Sequence, residues 1–267
     1  MSLNDLIKEG YWPTDSVPTL PITSGLEFYL DASVKQSVDV PNQLWRNLVA
    51  SPASGAAQSD YDFQMGANTT AGDSDEPLHV GTATGGHGNA YWNMGGDDQF
   101  QIASNTSFLD QLQDNGAVWT FCLVYEAVDN STKQELFTTR SAGSGIKVRQ
   151  LPDQTIDFQP ENSGNNVIFV SNEKININSR NVILLSVSEN GGNNGSFFSI
   201  NNVVDSFNAE HNSNTDQNAQ RAAKIFESSG DATKIGTKGV ATVMFNRAIS
   251  QTEASLLYNH FVNRGYL

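Results

Sequence analysis

From Gly25 onward, the sequence is a succession of short apolar runs separated by turns rich in Gly and Asn, and this pattern constrains the fold most strongly. Several runs alternate apolar and polar residues, which is the period of a strand with one buried face. Short runs that recur along a whole chain are typical of a β-sandwich. The predicted strands are Leu26–Asp31, Ala90–Met94, Gln99–Ile102, Val118–Tyr125, Glu135–Thr138, Gly145–Arg149, Thr155–Phe158, Val167–Val170, Val182–Val187, Gly195–Ile200 and Ala241–Phe245. We therefore predict an all-β protein made of two antiparallel sheets.

One helix is predicted, near the end of the chain. Ser250 and Glu253 are spaced as a capping box, in which the Ser hydroxyl accepts an amide of the first turn and the Glu reaches back to the Ser amide. Leu256, Leu257 and Phe261 follow at helical spacing. This pattern indicates a short helix that packs against the edge of the sandwich.

Residues 1–24 are predicted to form an arm, and residues 25–267 a single sandwich domain. The arm begins with a short amphipathic piece, continues with two aromatic residues and ends in an extended spacer that contains prolines. Aromatic side chains in so polar a segment need a surface to bury them, either on their own domain or, as we favour, on a neighbouring chain. The predicted assembly contacts are Leu6, Ile7, Tyr11, Trp12 and Pro13.

The charge balance excludes several kinds of partner. Acidic residues outnumber basic ones by 29 to 15 among 267 residues, for a formal net charge of −14. Such a surface repels phosphate backbones and anionic lipids, because binding them requires rows of Lys and Arg. No window resembles a membrane span, and the first residues carry charges in place of the apolar core of a secretory signal. We predict synthesis in a cytoplasm and no nucleic-acid or membrane partner. Cys122 lies in an apolar run and is expected to be a buried, inert thiol.

Several motifs together resemble a known family. Lys234–Gly236 and Gly239–Glu253 resemble the closing signature of concanavalin A-like (laminin G-like) domains, where a strand and an Asn-Arg-Ala-Leu-Ser-like turn lead into a capped helix. Met94–Ile102 is similar to a turn and strand of that family, and Trp119–Val124 to its next central strand. Gly25–Ser33 resembles the opening strand of versions found in bacteriophage structural proteins. The resemblance covers the chain after the arm and implies a jelly roll, but these motifs are architectural and specify no activity.

A region rich in Gly, Ser, Asp and Asn follows the first strand to about residue 88 and is predicted to consist largely of loops. Its part around residues 40–88 is longer than is usual in the family. Asp73, Asp75 and Glu76 offer hard oxygen ligands in this region, which makes them candidate calcium ligands. The competing interpretation is that they are solvated turn residues. No other cofactor is predicted, since the histidines are scattered and lack metal-ligand spacing.

Glycan binding is a second candidate property. Aromatic rings stack on sugars, and an amide-rich loop supplies hydrogen bonds to hydroxyls. The competing interpretation is that Trp92 and Trp119 belong to the core and that Trp45 is half-buried. The candidate glycan contacts are Trp45, His87, Tyr91, Trp92, Asn193 and Asn194.

Catalysis is not expected from the sequence. The glucanases of the family resembled here place acidic residues on one strand with carboxyl groups about 5–5.5 Å apart, and no Glu-x-Asp-x-x-Glu-like stretch exists in this chain. The favoured hypothesis is a non-enzymatic structural protein of a bacteriophage virion, in the head or the tail. It would be anchored by its arm to other virion proteins and form a homo-oligomer, a trimer by analogy. One alternative is a lectin that adheres to host or environmental glycans. The other is a polysaccharide hydrolase, which the absence of an acidic strand disfavours.

Overall fold

The computed structural model describes residues 17–66, 76–81, 89–96, 98–128, 132–141, 143–162, 165–189, 195–209, 217–227 and 236–267. In chain order, the strands within these ranges are β1 (Leu26–Asp31), β2 (Val38–Asp39), β3 (Leu44–Trp45), β4 (Phe63–Met65), β5 (Leu78–Val80), β6 (Tyr91–Asn93), β7 (Phe100–Gln101), β8 (Val118–Glu126), β9 (Gln134–Thr138), β10 (Gly145–Gln150), β11 (Thr155–Asn162), β12 (Asn165–Asn166), β13 (Phe169–Lys174), β14 (Arg180–Ser188), β15 (Ser196–Ile200), β16 (Val203–Phe207), β17 (Lys224–Ile225) and β18 (Lys238–Phe245). The α-helices are α1 (Ser107–Asp110) and α2 (Gln251–Asn263), and short 3₁₀ helices cover Lys35–Ser37, Val40–Asn42 and Gln58–Tyr61.

The strands form two sheets that stack as a sandwich. The first sheet has the order β16-β15-β14-β8-β18-β6-β5, and β1 also pairs with β18. The second sheet has the order β12-β11-β10-β9-β17-β7-β4-β3-β2, and β13 also pairs with β11. The pairings between these strands are antiparallel. The predicted fold class, an all-β antiparallel sandwich with a short helix near its end, is confirmed.

Strand β8 shows how the sequence places the core. Trp119 and Phe121 point between the sheets, where the Phe121 ring stacks on Phe137 of the second sheet at 4.8 Å. Cys122 and Val124 point the opposite way, into a second apolar cluster. Because successive side chains of a strand point to opposite faces, an apolar run such as β8 must be covered on both sides. Cys122 is fully buried, which confirms the predicted buried cysteine, and this burial raises the pKa of its thiol.

Helix α2 covers the outer face of the first sheet. Its predicted capping box is confirmed, since Ser250 Oγ accepts the Glu253 amide at 3.2 Å and a Glu253 carboxylate oxygen accepts the Ser250 amide at 2.8 Å. Leu257 and Phe261 are buried in the second apolar cluster, together with β8 and β14 side chains. No helix in the described ranges has the length and apolarity that crossing a bilayer requires.

The part of the arm nearest the sandwich packs on its own domain. Leu20 and Ile22 are buried in the second apolar cluster, beside residues of α2. A deletion that removes them would therefore open this cluster. The predicted assembly contacts of the arm lie outside the described residues: Leu6, Ile7, Tyr11, Trp12 and Pro13.

The region that follows β1, predicted to consist largely of loops, also contains four short strands that the sequence did not reveal. Strands β2, β3 and β4 extend one edge of the second sheet, and β5 ends the first sheet. Each of these strands has only two or three residues. Such a segment is too short to show an alternating pattern, because periodicity is read over at least four residues.

A buried polar network joins β1 to the residues that follow α2. Asp31 is fully buried, and its Oδ2 accepts hydrogen bonds from the hydroxyls of Tyr266 at 2.6 Å and Tyr29 at 2.5 Å. Its Oδ1 accepts from the Ser33 hydroxyl at 2.7 Å, and the Arg264 guanidinium lies 3.6 Å from Oδ2. A buried carboxylate is tolerated when it is hydrogen-bonded and paired in this way. The network therefore fastens the two ends of the domain to each other.

Candidate functional site

A surface pocket of about 470 Å³ lies between the segment around residues 54–60 and the start of α1. Its side chains are mainly hydroxyls, with one amide, one carboxylate and one aromatic ring. These groups bind polar ligands through hydrogen bonds, and a pocket of this volume is within the range of small-molecule sites. The lining residues are Ser54, Gly55, Ala56, Asp60, Ser104, Asn105, Thr106, Ser107 and Phe108.

A buried network holds two of these hydroxyls in place. Glu27, on β1, is fully buried, and its Oε2 accepts hydrogen bonds from Ser54 Oγ at 2.6 Å and from the Tyr61 hydroxyl at 2.7 Å. The Tyr61 oxygen also lies 3.1 Å from Thr106 Oγ1. Burial raises the pKa of the Tyr61 hydroxyl, which keeps it protonated and able to donate. Ser54 and Thr106, on opposite segments of the pocket, are thus linked to each other through the Glu27 carboxylate and the Tyr61 hydroxyl.

The second segment of the pocket is fixed by its own hydrogen bonds. Asn105 Oδ1 accepts the Ala223 amide at 2.7 Å, and its Nδ2 donates to the Arg221 carbonyl at 2.8 Å. Thr106 Oγ1 accepts the Leu109 amide at 3.3 Å and so caps α1. A hydroxyl cap of this kind stabilises even a single helical turn. The lining is therefore preorganised by contacts that belong to the fold.

A separate group of charged side chains lies on the outer face of the second sheet. Glu135, on β9, and Glu227, after β17, are fully buried, and their carboxyl groups are close enough to affect each other's ionisation. Lys147 forms an ion pair with Glu135, while Arg221 and Lys224 form ion pairs with Glu227. Burial raises the pKa of Glu135 to about 7, and the neighbouring Glu227 adds to the rise while Lys147 opposes it.

This carboxyl pair was not predicted from the sequence. The pair forms between two segments that are distant in sequence and are brought together where β17 pairs with β9. No pattern on a single strand reveals it. Neither carboxyl group has exposed surface in this structure, and each is held by cationic side chains.

Two of the six residues predicted to contact a glycan are not available for that role. Trp45 and Trp92 are fully buried, and their rings lie 6.1 Å apart in an edge-to-face arrangement inside the core. A ring without exposed surface cannot stack on a sugar, which corrects the prediction for these two residues. Tyr91 is half-buried, and Lys238 Nζ lies 5.2 Å from the centre of its ring. The remaining predicted contacts lie outside the described residues: His87, Asn193 and Asn194.

The predicted calcium ligands are only partly visible. Asp73 and Asp75 lie outside the described ranges. Glu76 is half-buried and its carboxylate accepts a hydrogen bond from the Gln43 side-chain amide. Within the part of the chain that the structure describes, no cluster of three or more His, Cys, Asp or Glu side chains is arranged to hold a metal ion. Calcium binding stays a prediction.

The sequence reasoning missed the pocket because its two segments are joined only in the folded chain. The local signal that was available is at α1, where Thr106 precedes a helical turn as a capping residue. A cap identifies the start of a helix and gives no information about what lies opposite to it. The link between Thr106 and Tyr61 depends on the buried Glu27, which the sequence shows only as the polar residue of an alternating strand.

Comparison with known proteins identifies the fold alone. No family model matches the chain, and no curated protein matches it. Among solved structures, it is similar to a Trypanosoma rangeli sialidase in complex with the inhibitor DANA, with a TM-score of 0.56 and 10% identity over 96% of this chain and 38% of that chain. The same sialidase in complex with sialic acid gives a TM-score of 0.53 and 12% identity over 96% of this chain and 38% of that chain. The botulinum neurotoxin type G receptor binding domain gives a TM-score of 0.55 and 12% identity over 89% of this chain and 51% of that chain.

These matches support the β-sandwich fold, and the chain spans about a third to a half of the proteins it resembles. They contradict the expectation that the protein is not an enzyme, because sialidases, which are enzymes, are among the matches. At such low identity the likeness establishes no activity in this chain. Its fold is therefore no ground for excluding catalysis.

Proposed function

We propose that the chain is a carbohydrate-binding β-sandwich module and that the pocket between Ser54 and Phe108 is its glycan site. The observation that carries this proposal is the lining of the pocket, which combines fixed hydroxyl and carboxylate groups with the half-buried Phe108 ring. Sugars are bound by hydrogen bonds to their hydroxyls and by contact of an apolar face with an aromatic ring. Because the fold already holds Ser54 and Thr106, little ordering is needed when a ligand binds.

The lectin-like fold gives independent support. One solved structure that the chain resembles is a sialidase in complex with sialic acid, and another is a toxin receptor binding domain. Because the likeness is confined to the fold, no site residue is transferred from these structures, and the proposed site rests on the pocket of this chain.

A glycan array with the full-length chain tests the proposal. Ser104→Trp fills the pocket from an exposed position and is expected to reduce binding at least about tenfold, because a bulky ring excludes the ligand. Thr132→Trp is the matched control, since Thr132 is also an exposed residue with a hydroxyl and does not line the pocket. Binding that is equal in both variants, or no binding to any glycan, would refute the proposed site.

We also propose that this module is a structural component of a bacteriophage particle, carried on the head or the tail. The support is the resemblance of Gly25–Ser33 to the opening strand found in phage structural proteins, together with the aromatic-containing arm. The burial of Leu20 and Ile22 defines where the arm joins the domain.

Deletion of residues 1–16 tests this second proposal. The cut leaves Leu20 and Ile22 in place, so the domain is expected to fold with unchanged stability while its incorporation into particles is lost. Particles that still contain the shortened chain would refute the role of the arm. A shortened chain that still binds glycans but is absent from particles would show that glycan binding and anchoring reside in different parts of the chain.

A further inference from the structure

We infer that the pocket selects uncharged glycans, rich in hydroxyl donors, over sialylated and other anionic glycans. This inference rests on the proposed glycan-binding function and adds the class of ligand. It follows from the direction of the hydrogen bonds beneath the pocket and from the charges around it.

The buried Glu27 sets the direction of the hydrogen bonds. Its Oε2 accepts from both Ser54 Oγ and the Tyr61 hydroxyl, and each of these hydroxyls has only one proton to give. The contact between Tyr61 and Thr106 must then be donated by Thr106, since the Tyr61 proton is already used. Ser54 and Thr106 therefore offer lone pairs, not protons, to a ligand.

Two further lining side chains lack donors for a ligand. Both protons of the Asn105 amide are engaged, with Asp110 Oδ1 at 2.9 Å and the Arg221 carbonyl at 2.8 Å. Asp60 contributes a carboxylate, one oxygen of which accepts the Ala57 amide at 2.9 Å. A sugar hydroxyl can donate to these four side chains, whereas a ligand carboxylate can only accept, and among the lining side chains it would find a free proton only at Ser104 and Ser107.

The charges act in the same direction. The residues that line the pocket in the described structure include Asp60 and no Lys or Arg, and Glu27 lies directly behind the Ser54 hydroxyl. The whole chain carries a formal charge of −14. A ligand carboxylate within several ångströms of one such group is repelled by an amount that corresponds to about tenfold in affinity near a protein surface.

The experiment compares pairs of oligosaccharides that differ only by a terminal sialic acid, such as lactose and sialyllactose. Each pair that the array shows to bind is measured by titration with the full-length chain, with Ser104→Trp and with Asp60→Asn. We expect the neutral member to bind about tenfold more tightly, and this preference to shrink severalfold in Asp60→Asn. Asn keeps an oxygen that can accept the Ala57 amide, so the 3₁₀ helix at Gln58–Tyr61 is retained. Circular dichroism of each variant confirms that the fold is intact.

The outcomes separate the two ideas. Neutral-glycan binding that is lost in Ser104→Trp, with weaker binding of the sialylated partner, supports both. Binding of the sialylated member that is equal or tighter, and is lost in Ser104→Trp, overturns the inferred ligand class and leaves the glycan site standing. Absence of binding to every glycan overturns the glycan site and the inference together.

Discussion

The carboxyl pair on the second sheet leads to a measurable dependence of stability on pH. Glu135 has a pKa of about 7 in the folded chain, against an ordinary value of 4.5, mainly because burial disfavours its charged form. Between these two values the folded chain binds more protons than the unfolded chain. The free energy of unfolding must therefore fall as the pH rises through this window. Glu135→Gln removes the titrating group and should remove this part of the fall.

The magnitude follows from the size of the pKa change. Each pKa unit corresponds to about 1.4 kcal/mol. Integrating between about pH 5 and about pH 8 gives a fall in the free energy of unfolding of about 2.5 kcal/mol from Glu135 alone. The fall is smaller than the full pKa change implies, because part of the difference in proton binding between the two states lies below about pH 5. Glu227→Gln should shrink the loss as well, because the Glu227 carboxyl adds to the pKa rise of Glu135.

The assay is urea unfolding followed by tryptophan fluorescence at several pH values. Comparing the change with pH in each protein cancels any constant effect of the substitution on packing. Glu253→Gln is a control of opposite sign: a hydrogen bond from Arg247 lowers the pKa of Glu253 to about 2, so its stabilisation is lost only as the pH falls below about 4.5. An equal fall between about pH 5 and about pH 8 in the natural chain and in Glu135→Gln would refute the reasoning.

Three further predictions concern the pocket, a turn and the helix, each measured by urea unfolding. Tyr61→Phe removes the hydroxyl that connects Glu27 and Thr106, and should lower the free energy of unfolding by about 1–3 kcal/mol and weaken glycan binding; unchanged values for both would contradict the role given to the network. Gly145→Ala should cost more than about 2 kcal/mol, because its Cβ would lie 2.5 Å from the Thr139 carbonyl oxygen at a φ of +127°. Gly265→Ala is the comparison, because its φ is +72° but an added Cβ would meet no atom of the described residues beyond its chain neighbours within 4 Å, and it should cost only about 1–2 kcal/mol. Equal losses of unfolding free energy in the two variants would show that the clash with the Thr139 carbonyl has no effect. Ser250→Ala should cost about 1 kcal/mol through loss of the α2 cap, whereas Ser255→Ala, which leaves the cap intact, should cost less.

The parts of the fold that could be predicted are those whose pattern is local. Strand β8 extends over nine residues, enough to show that both of its faces are apolar. Helix α2 carries its own start signal in Ser250 and Glu253, and this was sufficient to place it. Strands β2 to β5 were missed because they are too short to show a pattern of their own. They can be recognised only from their pairing with neighbouring strands.

The sites depend on contacts between distant segments and so were beyond sequence reasoning. Trp45 lies in a short polar-flanked stretch, yet it is fully buried because Trp92 and Phe100 close around it. Exposure, which decides whether an aromatic ring can bind sugar, is thus a property of the assembled core. The same holds for Glu135, whose pKa is set by burial, by Lys147 and, across a strand pair, by Glu227.

The fastening of Asp31 to Tyr266 has a consequence for how the protein is made. Strand β1 pairs with β18, so segments from opposite ends of the domain are neighbours at the middle of one sheet. During translation, β1 emerges long before either of these partners exists, and such distant pairings form slowly. A nascent chain must therefore keep an incomplete sheet from pairing with other chains until β18 has been synthesised. Slower synthesis of the final segment should increase aggregation, while a chaperone that shields open strand edges should raise the yield of folded protein.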